Sequence, residues 1–205
     1  MGVFSGPITL TKFYVRGAPP RGFKQKYLDR IRLRAFRPLR ADEEAGERFG
    51  WCVAGSILDL DLSDEKVFFG SYLLLGLRQD RWKLPSTLLQ AQYAEACQAA
   101  LSKSGREKLT KAEKDVIKGT VVGQLKRKVL PSMRMVDLCW DLDSRVAYFW
   151  SQSPSMHERL DALFGTTFDL ELDVASPYVV AAESGLAARK LEALPGLEPT
   201  LFHTR

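Results

Sequence analysis

The chain has 205 residues, 45% apolar and 27% charged, with a formal net charge of +5. That is enough chain for one large or two small folded domains of ordinary composition. No apolar run reaches membrane-spanning length. The start, MGVFSGPITLTKF, has neither the basic leader nor the long apolar run of a signal peptide. Cys52, Cys97 and Cys139 are scattered, with no CxxC, which argues against structural zinc and for buried free thiols in a reducing, cytoplasmic setting.

The charge is unevenly spread. Residues 12–40 hold ten basic residues and one acid, Asp29. Residues 103–134 hold ten more basic residues against Glu107, Glu113 and Asp115, while the rest of the chain is net −11. A polyanion responds to such patches rather than to the mean. The plainer reading of each patch is a solvated face that keeps the protein soluble.

In chain order, alternation over 7–15 predicts a strand, ended by Gly17, Pro19, Pro20 and Gly22. Phe23, Tyr27, Leu28 and Ile31 repeat at helical spacing and predict a helix over 23–35, studded with Lys24, Lys26, Arg30, Arg32 and Arg34. Residues 42–47 read as an exposed acidic loop. A strand region begins at Gly50-Trp51-Cys52-Val53 and extends toward Leu62. Ser63-Asp64-Glu65 reads as a turn. Residues 66–79 form the longest strand candidate, rich in β-branched and aromatic side chains and covered on both faces.

Ser86 is placed to cap a helix over 87–101, with Leu89, Tyr93, Cys97 and Leu101 as its core stripe. Residues 102–109 are a basic connection. Thr110 and Glu113 have capping-box spacing, which predicts a helix from Lys111 to about Val129. Lys111, Lys114 and Lys118 share one face of it. Gly119 and Gly123 weaken it, and close approach of another element would explain them. Lys126, Arg127 and Lys128 suit the helix C-terminus electrostatically.

Residues 133–140 and 146–150 read as a hairpin around Asp141 and Asp143, whose simplest role is turn chemistry rather than catalysis with Asp137. A short helix follows Pro154, with Ser155 and Glu158 as a capping box and Gly165 as its C-cap. Residues 168–174 alternate as a strand with an acidic face. Residues 179–191 read as a final helix and 194–205 as a loose tail.

No Gly-rich phosphate loop, HExxH, GxSxG, zinc-finger or RRM signature occurs. His157 and His203 have no evident nucleophile partner. The residues point to a non-enzymatic protein with no cofactor and no metal, touching phosphates through Lys103, Arg106, Lys108, Lys111, Lys114, Lys118, Lys126, Arg127, Lys128 and Arg134.

Three segments together resemble a known family: KLPSTLLQ, KLTKAEKDVIKGTVVGQLKRKVLP and MRMVDLCWDLDSRVAYFW. In order and spacing they are similar to the recombination-associated protein RdgC of bacteria. Phe4, Phe36-x-Pro38, Gly50-Trp51, the Leu160–Leu163 helix and the strand ending at Val174 extend the likeness over roughly residues 1–180. The resemblance implies an α+β fold with antiparallel β-sheets, packed helices and an elongated subunit bearing a helical tip around 102–114. It also implies a nucleoid-associated homodimer that closes into a basic ring on double-stranded DNA, binds without sequence preference and limits recombinase filaments. Carried residue by residue, the matching cations are Lys83, Lys108, Lys111, Lys114, Lys118 and Lys128.

The parts expected are an N-terminal α+β part (1–82), a helical tip with its basic connection (83–131), a hairpin–helix–strand part packing with the first (132–180), and a helix and tail (181–205). Family members continue well past the point matching Arg205, with segments that help close the ring. The expectation for this sequence is therefore an open clamp, another oligomer or a reduced module. Two competing readings are an assembly module without DNA binding, using Gly119, Gly123 and the hairpin, and a nuclease built on the three aspartates.

Overall fold

The computed structural model describes residues 2–4, 6, 8–43 and 45–197. In chain order its elements are β1 (Thr11–Arg16), α1 (Phe23–Leu33), β2 (Glu47–Cys52), α2 (Asp64–Val67), β3 (Phe68–Phe69) and β4 (Tyr72–Arg81). There follow α3 (Ser86–Ser104), α4 (Lys111–Lys128), β5 (Ser132–Asp141), β6 (Val146–Phe149), α5 (Pro154–Phe168) and β7 (Glu171–Val174). Two short helices, α6 (Pro177–Glu183) and α7 (Ala188–Ala193), and a 3-10 turn (Leu194–Gly196) end the described chain. The fold is α+β: one curled antiparallel sheet, ordered β2-β4-β5-β6-β1-β7 with β3 on β4, packed against helices. The parts expected at 1–82 and 132–180 thus share a single sheet.

Alternation decides which side of the sheet is core. Leu73, Leu75 and Leu77 of β4 lie opposite Trp140, Leu138 and Val136 of β5, and all six are buried. Phe13 and Val15 of β1 and Ala147 and Phe149 of β6 extend this face. α1 and α5 cover it side by side. The Tyr27 ring meets Phe168 edge-on at 5.0 Å, and Trp140 packs against Phe164 and Phe168 at 5.2 and 5.3 Å. Trp51, fully buried on β2, donates Nε1–H to Thr167 Oγ1 at 2.9 Å. Full burial of each such side chain contributes about 1.5–3 kcal/mol.

The opposite face holds a buried ion pair among Phe36, Cys52 and Leu74. Arg78 donates two 2.8 Å bonds to Asp80, lies 4.1 Å over the Phe36 ring, and donates to the Ile57 carbonyl at 2.9 Å. Both members of this pair are buried, so each needs the other. Asp137, also buried, accepts the backbone N–H groups of Val3 (3.0 Å) and Gly55 (3.1 Å), tying the start of the chain to mid-sheet.

Several boundaries differ from the sequence reading. Residues 8–10 precede β1 as irregular chain, and the expected strand start at Pro7 lies outside the described residues, as do 198–205 of the expected tail. β2 takes in Glu47, Arg48 and Phe49, because Glu47 pairs with Arg81 across the sheet, and the chain leaves the sheet after Cys52. The expected 63–65 turn is instead the start of α2, with Ser63 at the N-cap position and Asp64 and Glu65 in its first turn, favourable at a helix N-terminus. The long strand candidate breaks at Gly70, whose φ of 63° makes the β3–β4 turn. Ser86 is the first residue of α3 rather than its cap.

In α5 the Ser155–Glu158 capping box does not form, and Gly165 lies inside the helix. The helix runs on because Phe164 and Phe168, one turn apart, both enter the core, and it stops at Asp169 in the left-handed region, φ 58°. The final helix is split by Gly185, φ 77°.

Candidate nucleic-acid interface

α3 and α4 join the end of β4 to the start of β5, so they form a helical hairpin hung on the longest strand pair of the sheet. At about 1.5 Å per residue each helix is roughly 27 Å long. α3 buries no residue completely, and Leu89, Tyr93, Cys97 and Leu101 are only half-buried. The stripe expected to be core is therefore a helix–helix seam. α4 buries only Val121, Leu125 and Lys126, all toward its C-terminal end at the body. The first half of α4 and the end of α3 form the exposed tip.

The tip is held by the capping box the sequence predicts. Thr110 Oγ1 accepts the Glu113 N–H at 3.3 Å, and the Glu113 carboxylate accepts the Thr110 N–H at 2.8 Å. Arg106 donates to the other Glu113 oxygen. The Thr110 N–H first, then Arg106 and the Thr110 hydroxyl, hold the Glu113 carboxyl down at about 2. Gly105, φ 63°, closes α3.

Lys103, Lys108, Lys111, Lys114 and Lys118 are all exposed at this tip, and none pairs with a carboxylate among the described residues. Arg106 is exposed but engaged by Glu113. Lys114 and Lys118 continue, at i, i+4, the stripe that becomes Val121 and Leu125. Apolar residues on that stripe are buried near the body, and lysines occupy it beyond.

A second group sits where the hairpin meets the sheet. Lys83, Arg127, Lys128 and Arg134 are exposed there. Arg127 lies near Asp42 and, after the Asp42 backbone N–H and Arg40, helps hold that carboxyl below its usual range. Arg134 lines a recess of about 340 Å3 with Thr9, Trp150, Ser151, Gln152 and Ser153.

Lys126 is the one expected contact residue that the structure removes from the surface. It is 8% exposed, and its Nζ donates to the Glu43 carbonyl at 2.8 Å. It anchors the root of α4 to the segment after α1. The basic triplet does not reveal this, because burial of one member depends on a loop more than 80 residues upstream.

The aspartates do not converge. Asp141 accepts from Asp143 N at 3.0 Å and Ser144 N at 3.3 Å, which is turn chemistry, while Asp137 is buried on the Val3 and Gly55 amides. His157 bonds the Ser151 carbonyl at 2.8 Å and stacks edgewise on Phe13. Burial pushes the Cys52 thiol up to about 12 and that of Cys139 up to about 11, so neither is a thiolate at neutral pH. Among the described residues no group of three or more His, Cys, Asp or Glu could hold a metal ion, and no helix is long and apolar enough to cross a membrane. What this surface can do is present unpaired ammonium and guanidinium groups to a polyanion.

Compared with known proteins, the chain matches no family model and no curated sequence.

Proposed function

We propose that this protein binds double-stranded DNA without sequence preference and modulates homologous recombination by limiting recombinase access to the duplex. One observation carries the reading: Lys111, Lys114 and Lys118 stand exposed on one side of a projecting helix, with no carboxylate partner among the described residues. Phosphate contacts by such residues give affinity without base readout. The recombination role, the nucleoid and cytoplasmic setting, the homodimer and the absence of enzymatic activity follow from the RdgC resemblance of the KLTKAEKDVIKG and MRMVDLCWDLDSRVAYFW segments.

The test is a duplex titration at several salt concentrations. Replacing Lys111, Lys114 and Lys118 by Gln should lower affinity on the order of a hundredfold at about 0.1 M salt, equally for unrelated sequences, and flatten the salt slope by about 3. Wild-type protein that binds no duplex even at low salt ends this reading.

A second reading, an assembly module that associates through α4 and does not bind DNA, is favoured by one observation. Val116 is 70% exposed, and a Cβ added at Gly119 or Gly123 would meet nothing within 4 Å, so that face of the helix is open. Mass measurement with and without DNA separates the two readings.

A further inference from the structure

The first basic region, residues 12–40, has no part in the reading above. Some of its charge is cancelled: Arg16 pairs with Asp173 and Glu183, Arg30 with Asp169, and Arg40 with Asp42. The rest is not. Arg21, Lys24, Lys26 and Arg37 are exposed and pair with no carboxylate among the described residues. Arg32 donates Nε–H to the Leu62 carbonyl at 3.0 Å, a neutral acceptor that holds the guanidinium in place without cancelling its charge. The single acid of the region, Asp29, accepts from Gln25 at 2.9 Å. α1 turns Tyr27, Leu28 and Ile31 into the core, which leaves Lys26 and Arg32 outside that stripe, while Lys24, exposed at its open end, lies 5.5 Å over the Phe68 ring.

The start of α1 is far from the α4 lysines, whereas Arg37, next to Phe36 on the Gly50–Trp51 stretch of β2, and Arg40, whose partner Asp42 lies near Arg127, are toward the hairpin end. Phe23 and Lys24 share a recess with Gly70, Ser71, Leu142 and Asp143, at the turns that begin β4 and end β5. The hairpin leaves from the opposite ends of the same two strands. Ten residues of β4 at about 3.3 Å each put roughly 30 Å between Lys24 and the hairpin root. Salt screens exposed charges beyond about 10 Å at 0.1 M, so the two clusters act as separate electrostatic surfaces. The α1 cluster matches one strand of a duplex in scale. An eleven-residue helix spans about 16 Å, against one phosphate per about 3.4 Å of strand.

We propose that the first half of α1, with Lys24 and Lys26 beside Arg21, is a second duplex-DNA backbone contact surface, carried by the sheet body and remote from the hairpin. The proposal rests on the DNA-binding reading above. It assigns this surface phosphate contacts alone, since no base-reading element accompanies the cations.

The test compares two double variants of the full chain on a long mixed-sequence duplex, with thermal unfolding as the folding control. One is Lys24→Gln/Lys26→Gln. The other, Arg189→Gln/Lys190→Gln, removes the same net charge from exposed positions elsewhere. The α1 variant should lose about tenfold in affinity at about 0.1 M salt, and its salt slope should fall by about 2. The control variant should change affinity by no more than about twofold, since a charge well beyond the screening length contributes little. An α1 variant that binds like wild type, while the Lys111/Lys114/Lys118 variant loses binding, overturns the α1 surface and leaves the DNA reading standing. Equal losses in both double variants also overturn it, as an effect of net charge. An α1 variant that loses binding to polyglutamate but keeps DNA binding assigns the surface to acidic peptide and overturns the proposal. Wild-type protein that binds no duplex at low salt overturns both readings.

Discussion

In the sheet body, Trp51, Trp140, Phe149 and Phe164 are fully buried, and Phe168 and Tyr27 close over them. In the hairpin, α3 buries nothing completely and the tip half of α4 is exposed on every turn. The body is held by a three-dimensional core in which each large side chain touches several others. The hairpin is held by a thin seam, a capping box and one lysine anchor. A region with few buried apolar contacts opens at lower free energy than a packed core. The contrast suits a division of labour in which a rigid scaffold presents a basic arm that is free to adjust to a polyanion.

The largest expected effect lies in the body. Phe164→Ala should destabilise the protein by about 3–5 kcal/mol in a denaturant melt, because it opens a cavity beside Trp140 and Phe168. Ile117→Ala, half-buried on the hairpin, should cost well under half of that. Equal costs would mean that the two regions share one core, and the contrast drawn here would fall.

Next in size is the cap. Thr110→Ala should weaken α4 by about 1 kcal/mol, with the loss confined to hairpin amides in hydrogen exchange. Glu113 adds a pH handle. Its carboxyl is held at about 2 in the folded protein, against an ordinary 4.5. A depressed folded value means that its contribution is fully present above about 4.5 and is lost as pH falls toward 2. Tip amides should therefore lose exchange protection across that window while body amides keep theirs. Uniform loss of protection would show that the tip is not an independent unit.

The smallest effect has the opposite sign. Gly119→Ala should stabilise α4 by up to about 1 kcal/mol, since the new methyl meets nothing within 4 Å and the helix gains a better former. A variant that instead changes mass in solution would place a partner on that face and favour the assembly reading.

Much of the local structure was legible in the residues. Alternation found β1 and β7, the turn at Asp141 and Asp143 found the β5–β6 hairpin, helical spacing found α1 and α3, and start signals at Thr110 and Pro154 found α4 and α5. The Thr110–Glu113 box was readable because capping is a contact between residues three apart. Expectations that failed were those where tertiary packing overrode a local signal. Gly165 looks like a helix end, yet Phe164 and Phe168 carry α5 through it into the core. Glu47 reads as exposed acidic chain and the strand as starting at Gly50, yet a partner strand recruits Glu47 to Phe49. The exposed lysines of α4 were readable as a basic run, but which cations remain free was not.

By itself, then, the order of side chains determined the periodic elements, the cap of α4 and the presence of two basic stretches, because each depends on neighbours within a few residues. The tertiary structure alone decided that Lys126 is an anchor, that Arg16, Arg30 and Arg106 are neutralised, and that Lys24 and the α3–α4 hairpin lie at opposite ends of β4. Those outcomes turn on residues distant in sequence, such as Glu43, Asp173 and Asp169, and charge is cancelled or left free only by what folding brings within a few ångströms of it.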